Sequence, residues 1–213
     1  MLRLRMATAV LGAALGVNAA MAGGIEALDA FVKHVKSGRA TFTQTVTAPA
    51  KDGQAVRPKV SSGSFEFVRP NRFKFIYKKP FEQSIIADGQ TLWLYDVDLA
   101  QVTARKQAAA LGSTPAALIS AAPDLKALQA EYILSDAPAS DGQEWLLATP
   151  KPKEGSLQSV RVGFKDSMLV TLEILDSFGQ RSVLHFNAFE ANAVIEPSSF
   201  QFKPPAGVDV VRQ

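Results

Sequence analysis

Two closely spaced aspartates are the first residues in this sequence whose types and spacing could do chemistry. Asp96 and Asp98 are separated only by Val97, and a pair of carboxylates could share the roles of general acid and general base. However, they directly follow one strand-like segment and precede another, and aspartate is a common turn residue. A turn is therefore the favoured interpretation of both residues.

Serines and histidines give no stronger indication of catalysis. Ser61, Ser62 and Ser64 cluster around a glycine, but no histidine stands in a recognisable relation to them, so they do not suggest a catalytic triad. His34 and His185 are the only histidines, and a transition-metal site built on them would need an unusual set of carboxylates. The sequence also lacks the common phosphate, dinucleotide, hydrolase and zinc-protease motifs. We therefore predict no enzyme activity, no metal and no cofactor.

The absence of cysteine narrows the class of protein further. The chain has no cysteine, which excludes disulfide bonds, a thiol nucleophile and a thiolate metal site. It also excludes an acylated N-terminal cysteine, which a lipid-anchored bacterial protein would need. The composition therefore favours a freely diffusing protein.

The N-terminus has the pattern of a signal peptide. Arg3 and Arg5 precede an apolar run at residues 7–17 and a small-residue pattern at residues 20–22, as in an export signal that is later removed. We predict a signal peptide at 1–22 and a single domain at 23–213. Removing the two arginines leaves 21 basic residues against 20 acidic ones, so the near-neutral remainder gives no indication of nucleic-acid binding.

Most of the remaining chain alternates with a period of two. Such alternation is typical of half-buried strands, and it predicts a large antiparallel sheet. The segments that we predict as strands lie around residues 40–47, 65–69, 73–77, 83–87, 91–95, 101–105, 131–134, 144–149, 159–164, 169–175 and 182–189. Asp-Gly pairs at residues 52–53, 88–89 and 141–142 lie between strand-like segments, where they favour tight hairpin turns.

Two segments have a helical pattern instead. Apolar residues from Ile25 to Val35 recur at steps of three and four, which predicts an amphipathic helix that ends near residues 37–38. In mid-chain, a Ser-Thr-Pro cap at residues 113–115 opens a short apolar segment that reaches Ser120. This second helix covers the sheet or acts as a movable flap, and the pattern does not decide between the two.

The large apolar residues on strands leave two interpretations open. Phe65 and Phe67 share one strand face with Arg69, and the next segment places Phe73, Phe75 and Tyr77 on a common face. These aromatic residues either form an ordinary core beneath the first helix or line a binding cavity. Arg69 either reaches water at the end of its strand or is buried, in which case it needs partners.

The order and spacing of three motifs resemble the LolA-type outer-membrane lipoprotein carriers over most of the chain. The first motif is Phe67-Val68-Arg69-Pro70-Asn71-Arg72-Phe73. The second is the run at 87–96, Ala-Asp-Gly-Gln-Thr-Leu-Trp-Leu-Tyr-Asp, followed by Gln101-Val102-Thr103. The third is Thr114-Pro115 with Leu118-Ile119.

The resemblance implies a mainly β fold with helices, in which a curled antiparallel sheet forms an incomplete barrel and a helical lid covers an apolar cavity. Arg69 matches the arginine that latches the lid, and Ile119 with Ser120 matches the segment that receives it. The expected lining of the acyl-chain cavity is Phe65, Phe67, Phe73, Phe75, Tyr77, Trp93, Tyr95 and Leu118. The lid departs from the family pattern at Ala116, Ala117, Ala121 and Ala122.

The function that the resemblance implies is that of a periplasmic chaperone. It would accept acylated lipoproteins from an inner-membrane lipoprotein-releasing ABC transporter and deliver them to a lipid-anchored outer-membrane receptor, as a monomer that does not bind nucleic acid. The sequence leaves two alternatives open. One is a binding module for another amphiphile on the same fold, and the other is a hydrolase acting on lipid or envelope polymer.

Overall fold

One open sheet dominates the fold. The computed structural model describes residues 23–50, 56–111, 117–121, 123–152 and 155–213. Its strands are β1 (Ser37–Thr47), β2 (Lys59–Val68), β3 (Arg72–Lys79), β4 (Gln83–Ala87), β5 (Thr91–Asp96), β6 (Gln101–Lys106), β7 (Tyr132–Ser140), β8 (Gln143–Pro150), β9 (Leu157–Lys165), β10 (Met168–Asp176), β11 (Arg181–Ala191) and β12 (Asp209–Arg212).

The strands follow the order β12-β6-β5-β4-β3-β2-β1-β11-β10-β9-β8-β7 in the sheet. Neighbours pair antiparallel, except that β12 runs parallel to β6. Because β12 and β7 lie at opposite edges of this order, the sheet is not closed. Each predicted strand is found, so the prediction of a large antiparallel sheet is confirmed, whereas β12 was not predicted.

Short helices account for most of the other regular structure in the described ranges. They are α1 (Gly24–His34), α2 (Gln107–Leu111), a π-helical turn (Ala117–Ala121), α3 (Leu125–Glu131) and a 3-10 turn (Pro197–Phe200). The predicted first helix is confirmed as α1. Of the predicted mid-chain helix, the structure describes only the part that forms the π-helical turn. Residues 112–116 and 122, which include the predicted cap, lie outside the described residues.

The prediction of a single mid-chain helix was wrong, since α2 and α3 flank the π-helical turn. A local signal for α3 was present in the sequence. Asp124 follows a proline, and its side chain accepts a hydrogen bond of 2.8 Å from the backbone N–H of Ala127, as an N-cap residue does.

The sheet has an inner face that α1 covers. Leu28, Phe31 and Val32 of α1 are buried, and they belong to the same apolar cluster as Phe65, Val162 and Leu172 on the strands. The apolar stripe of the helix, with its period of 3.6 residues, and the inward-facing residues of the strands, with their period of two, therefore form a single core.

The outer face carries a second, smaller apolar layer beneath the C-terminal segment. Phe200 is buried with Ile86 and Val102, and the ring of Phe202 lies 5.4 Å from that of Trp93. The C-terminal segment then continues into β12, which pairs with β6. Part of the sheet is thus covered on both faces.

Two of the predicted Asp-Gly turns adopt the expected backbone conformation. Gly89 has a φ of 105°, and Asp141 and Gly142 have φ values of 55° and 69°. The third Asp-Gly pair, at 52–53, and the predicted signal peptide at 1–22 lie outside the described residues. No helix in the described ranges is long and apolar enough to span a membrane.

Asp88 organises the hairpin between β4 and β5. Its carboxylate accepts hydrogen bonds from the backbone N–H groups of Gln90 and Thr91 at 2.8 and 2.7 Å and from the indole N–H of Trp93 at 2.9 Å. Partial burial raises the pKa of this carboxyl, but the hydrogen bonds outweigh it, so the pKa lies below its ordinary value. The charged form is therefore favoured by folding.

We expect Asp88→Ala to lower the free energy of unfolding by about 1–2 kcal/mol at pH 7, because three donors lose their acceptor. A lowered pKa in the folded state contributes stability above the unfolded pKa of about 3.9 and loses it as the pH falls through the folded value. The difference between the two proteins should therefore shrink below about pH 4. Urea unfolding at several pH values measures it, with Asp98→Ala as the control. A difference that persists undiminished at acid pH would contradict this role.

Candidate functional site

An aromatic cluster fills the inner face of the sheet near α1. The ring of Phe65 stacks on that of Phe75 with centroids 4.4 Å apart, and it also lies 5.6 Å from the ring of Phe67 and 5.4 Å from that of Phe186. Phe65, Phe67 and Phe73 are at most 1% exposed. These strands therefore form a continuous apolar layer of packed aromatic rings on the inner face.

Arg69 lies at the edge of this cluster and bridges two separate elements. Its Nε donates a hydrogen bond of 3.0 Å to the carbonyl of Val35, just after α1. Its Nη2 donates one of 2.5 Å to the carbonyl of Ile119 in the π-helical turn. The guanidinium also lies over the rings of Phe31 and Phe67, 5.6 and 5.4 Å from their centroids. One side chain thus ties α1, β2 and the mid-chain segment together.

Burial perturbs Arg69 but leaves it charged. Desolvation lowers the pKa of its guanidinium to about 10, which is still far above neutral pH. The carbonyl acceptors of Val35 and Ile119 and the two aromatic faces compensate part of the cost of burying the charge. Because hydrogen bonds from charged donors are stronger than neutral ones, this contact is well suited to holding the π-helical turn in place.

The segment around the π-helical turn closes over the cluster. Leu118, Ile119 and Ser120 are at most 1% exposed, and Leu118 and Ile119 belong to the same cluster as the phenylalanines. On the N-terminal side, Gln107 in α2 is 1% exposed; its side chain donates to the carbonyl of Asn71 and accepts from the N–H of Gly89. In this structure the segment is therefore held against the sheet at two points.

The residues predicted to line a cavity divide between the two faces. Phe65, Phe67, Phe73, Phe75 and Leu118 are in the inner cluster, and Tyr77 packs against it. Burial raises the pKa of Tyr77 to about 12, so its hydroxyl is protonated at neutral pH. Six of the eight predicted residues are thus brought together.

Trp93 and Tyr95 are not part of this cluster, and here the structure corrects the prediction. Leu92 and Leu94 pair with Ala87 and Ile85 of the inner face, so the alternate residues of β5 point to the outer face. There the rings of Trp93 and Tyr95 lie 5.4 and 5.9 Å from that of Phe202. The error is one of strand parity, because a shift of one residue exchanges the two faces of a strand.

Several aromatic residues of the site were not predicted. Phe31 comes from α1, and its ring lies 6.2 Å from Phe67, 5.7 Å from Phe164 and 5.8 Å from Phe189. Phe42 on β1 lies 5.1 Å from Tyr77. The helical period of α1 marked Phe31 as buried and the alternation of β1 marked Phe42, but only the sheet order brings them to this cluster.

The residues considered for catalysis or metal binding lie in a turn, a strand and a helix, where their contacts are those of ordinary structural residues. The carboxylate of Asp96 accepts a hydrogen bond of 3.0 Å from the N–H of Leu99, which confirms the interpretation as a turn. His185 lies 3.3 Å from the hydroxyl of Thr171, and His34 lies in the last turn of α1. Within the described ranges, no group of three or more potential ligands is placed to hold a metal.

Comparisons with known proteins agree on one family. The family model described as "Outer membrane lipoprotein carrier protein LolA" matches residues 33–203. An outer-membrane lipoprotein carrier protein of Albidiferax ferrireducens is 69% identical over 90% of this chain and 92% of its own length. The protein of the same description from Leptothrix cholodnii is 52% identical over 92% of this chain and 89% of its own.

A solved structure shares the fold at much lower identity. The crystal structure of an uncharacterized conserved protein from Thermus thermophilus is 10% identical to this chain, covers 89% of it and 97% of its own chain, and superposes with a TM-score of 0.53. The open sheet is therefore also found in a protein with little sequence in common.

Proposed function

The chain belongs to the LolA family of outer-membrane lipoprotein carrier proteins, and we propose from this that it carries acylated lipoproteins across the periplasm with their acyl chains held on the inner face of the sheet. The family is one of carriers and not of enzymes. In our proposal the protein acts as a monomer, accepts cargo from an inner-membrane lipoprotein-releasing ABC transporter and delivers it to a lipid-anchored outer-membrane receptor.

The aromatic cluster is the observation that carries the proposal for the acyl chains. Withdrawing an acyl chain from water is favourable by about 0.8 kcal/mol per methylene, so cargo with several chains needs a large apolar surface to remain in solution. The inner cluster of Phe31, Phe65, Phe67, Phe75 and Phe186 is such a surface. It is contributed by one helix and several strands, which supports the view that it can accept more than one chain.

The closed arrangement implies that cargo binding requires movement. Leu118 and Ile119 are fully buried against the cluster, and acyl chains reach the same surface only if these side chains withdraw. We therefore interpret the described parts of this segment, residues 107–111, 117–121 and 123–131, as a lid. Arg69 is the latch: its hydrogen bonds to Val35 and Ile119 are made when the lid is closed and broken when it opens.

The direction of transport follows from this two-state lid. Closing the lid restores the Arg69 hydrogen bonds and the packing of Leu118 and Ile119, which offsets part of the cost of expelling the acyl chains. Extraction from a membrane needs further energy, and the sequence has no nucleotide-binding motif. The ABC transporter would supply that energy at loading, whereas lid closure favours unloading at the receptor.

Release of lipoproteins from spheroplasts tests the proposed function. Spheroplasts that make radiolabelled lipoproteins are incubated with or without the purified protein, and the medium is analysed for soluble complexes. We expect labelled lipoproteins in the medium only when the protein is present, with an increase of at least about 10-fold over the background, because a membrane-inserted acyl anchor rarely leaves unaided.

A cargo that lacks acylation is the control. The same lipoprotein with its acylated cysteine replaced by serine should form no complex with the carrier. If transport-competent spheroplasts release nothing in response to the protein, the lipoprotein-carrier role is refuted, and mass analysis of ligands that copurify with the protein would then test a binding module for another amphiphile.

A further inference from the structure

A cavity lies on the inner face at the end of the sheet that is farthest from Arg69. We call this end of the sheet the far end. There β1 ends at Thr47 and β5 ends at Asp96. The cavity of about 900 Å³ opens at this end, and its lining residues come from β1 to β5 and from the loops that follow β3 and β5: Gln44, Lys59, Val60, Ser61, Tyr77, Pro80, Phe81, Gln83, Asp96, Asp98 and Leu99.

The far end is where the inner face changes from apolar to polar. Across β3 to β6, each strand contributes one residue that pairs with the next, in the order Tyr77, Gln83, Asp96 and Gln101. Across β1 and β2, Gln44 pairs with Ser61. We call these six residues the polar row. One step closer to Arg69, the corresponding inner-face residues include Phe42, Phe75, Ile85 and Leu94. Because side chains alternate along each strand, this boundary lies at one level across β3 to β6. On β1 and β2 it lies one inner-face position farther from Arg69, since Gly63 pairs with both Phe42 and Tyr77.

Ser61 and Gln83 are members of the polar row whose side chains are available for a ligand. The hydroxyl of Ser61 and the amide of Gln83 make no hydrogen bond within the described part of the chain, and both side chains line the cavity. By contrast, the amide of Gln44 donates to Ser182 at 2.6 Å. Ser61 and Gln83 together supply donors and acceptors, which suit esters and amides.

Tyr77 joins the cavity to the aromatic cluster. Its ring lies 5.1 Å from that of Phe42 at an angle of 78°, and it also lines the cavity. The apolar cluster and the polar row are therefore adjacent parts of one surface. A ligand that covers both would have an apolar part near Phe42 and a polar part near Gln83.

We propose that the polar row binds the polar head of the acylated cargo, meaning the ester and amide groups that join the acyl chains to the polypeptide and the first peptide groups after them. This inference rests on the proposed function and adds an orientation to it. The acyl chains run from the row towards Arg69, and the polypeptide leaves through the far end. Phe81 and Leu99, which are 69% and 71% exposed, flank this exit.

The orientation follows from matching polarity. A buried ester or amide without a hydrogen-bond partner is costly, so the head is best placed where the inner face supplies polar side chains. The aromatic cluster offers no such groups to the head, and Arg69 is already bonded to Val35 and Ile119 when the lid is closed. The polar row is also accessible in this closed structure, whereas the aromatic cluster is not.

Binding measurements with two probes test the inference. One probe is a synthetic lipopeptide with three palmitoyl chains on a glyceryl-cysteinyl peptide, and the other is a fluorescent fatty acid of equal chain length. The variant is S61V with Q83L, which makes two positions of the row apolar. We expect the lipopeptide to bind about 10-fold more weakly, because two hydrogen bonds to the head are lost, and the fatty acid to change by less than about 2-fold.

The matched control replaces the next residue on each strand, S62V with S84L, because these side chains point to the outer face. It should leave both probes unaffected. Equal weakening of both probes by the row variant, or no weakening of either, would overturn the head site while leaving the proposed function standing. If the parent protein itself bound neither probe, the proposed function would fail as well.

Because the chain has no cysteine, a single introduced thiol can report the position of the peptide. Bimane attached at L99C should be quenched at least about 2-fold when the lipopeptide carries a tryptophan directly after its lipidated cysteine, since quenching requires contact. Bimane at V194C, which is exposed at the opposite end of the sheet beside Arg39, should be unaffected. Quenching at V194C alone would reverse the orientation and refute the inference.

Discussion

Arg69→Leu is expected to retain the fold but to lose most of its ability to deliver lipoproteins. The substitution removes the hydrogen bonds to Val35 and Ile119 and leaves an apolar side chain beside Phe31 and Phe67. Hydrogen bonds to charged groups contribute about 1.5–3 kcal/mol each. The closed lid thus loses stability relative to the open, loaded state, and transfer to the receptor should fall by about 10- to 100-fold.

The measurement is transfer of lipoprotein from the purified carrier complex to membranes that contain the receptor. Circular dichroism and a urea melt of the same variant establish whether it is folded. Hydrogen exchange of residues 117–121 and 125–131 should accelerate in the free protein, because the lid opens more often. This second readout separates a latch from a residue that only contributes to stability.

Two further arginine variants serve as controls. Arg39 also donates a hydrogen bond to a backbone carbonyl, that of Val194 at 2.7 Å, but it lies on the surface, so Arg39→Leu should deliver cargo normally. Arg69→Lys keeps the charge but loses the geometry that reaches two carbonyls, and it should be intermediate. Normal delivery by a folded Arg69→Leu protein would rule out the latch.

Phe65→Ala is expected to lower the free energy of unfolding more than Asp88→Ala or Phe178→Ala does. Phe65 is 0% exposed and its ring contacts those of Phe67, Phe75 and Phe186. Truncating a fully buried phenylalanine costs about 3–5 kcal/mol through lost burial and the cavity that remains. Since small proteins are stable by only about 5–15 kcal/mol, this loss should be clear in the midpoint of urea unfolding.

Phe178→Ala is the matched control, because Phe178 is 78% exposed and its loss should change the unfolding free energy by less than about 0.5 kcal/mol. If Phe65→Ala cost less than about 1 kcal/mol, the aromatic cluster would not be the tightly packed core that the structure describes. Such a result would favour an inner face that is already open in the absence of cargo.

The sequence features that identify the family are local ones that the fold preserves. The motif containing Arg69 and Phe73, the Asp-Gly hairpin with Asp88 and the segment with Leu118 and Ile119 occur in a fixed order, and the comparisons confirm the family. Each motif depends on few neighbouring residues. The hairpin at Asp88, for example, is set by hydrogen bonds within five residues of it along the chain.

The sequence by itself determined eleven of the twelve strands in the described ranges, most of the turns and the buried stripe of α1, because these depend on periodicities of two and 3.6 residues and on the conformational preferences of single residues. It did not determine which strand face is the inner one. Trp93 and Tyr95 were assigned to the wrong face for that reason. Between residues 92 and 95 of β5, both alternating sets of residues are apolar or aromatic, so the alternation does not show which set faces inward.

Only the tertiary structure decided which distant residues meet. Arg69 contacts Val35 and Ile119, which lie 34 and 50 positions away in the chain, and the polar row joins residues of six neighbouring strands. Such contacts depend on strand order and on the register between strands, which are set by packing of the whole core and not by any local pattern.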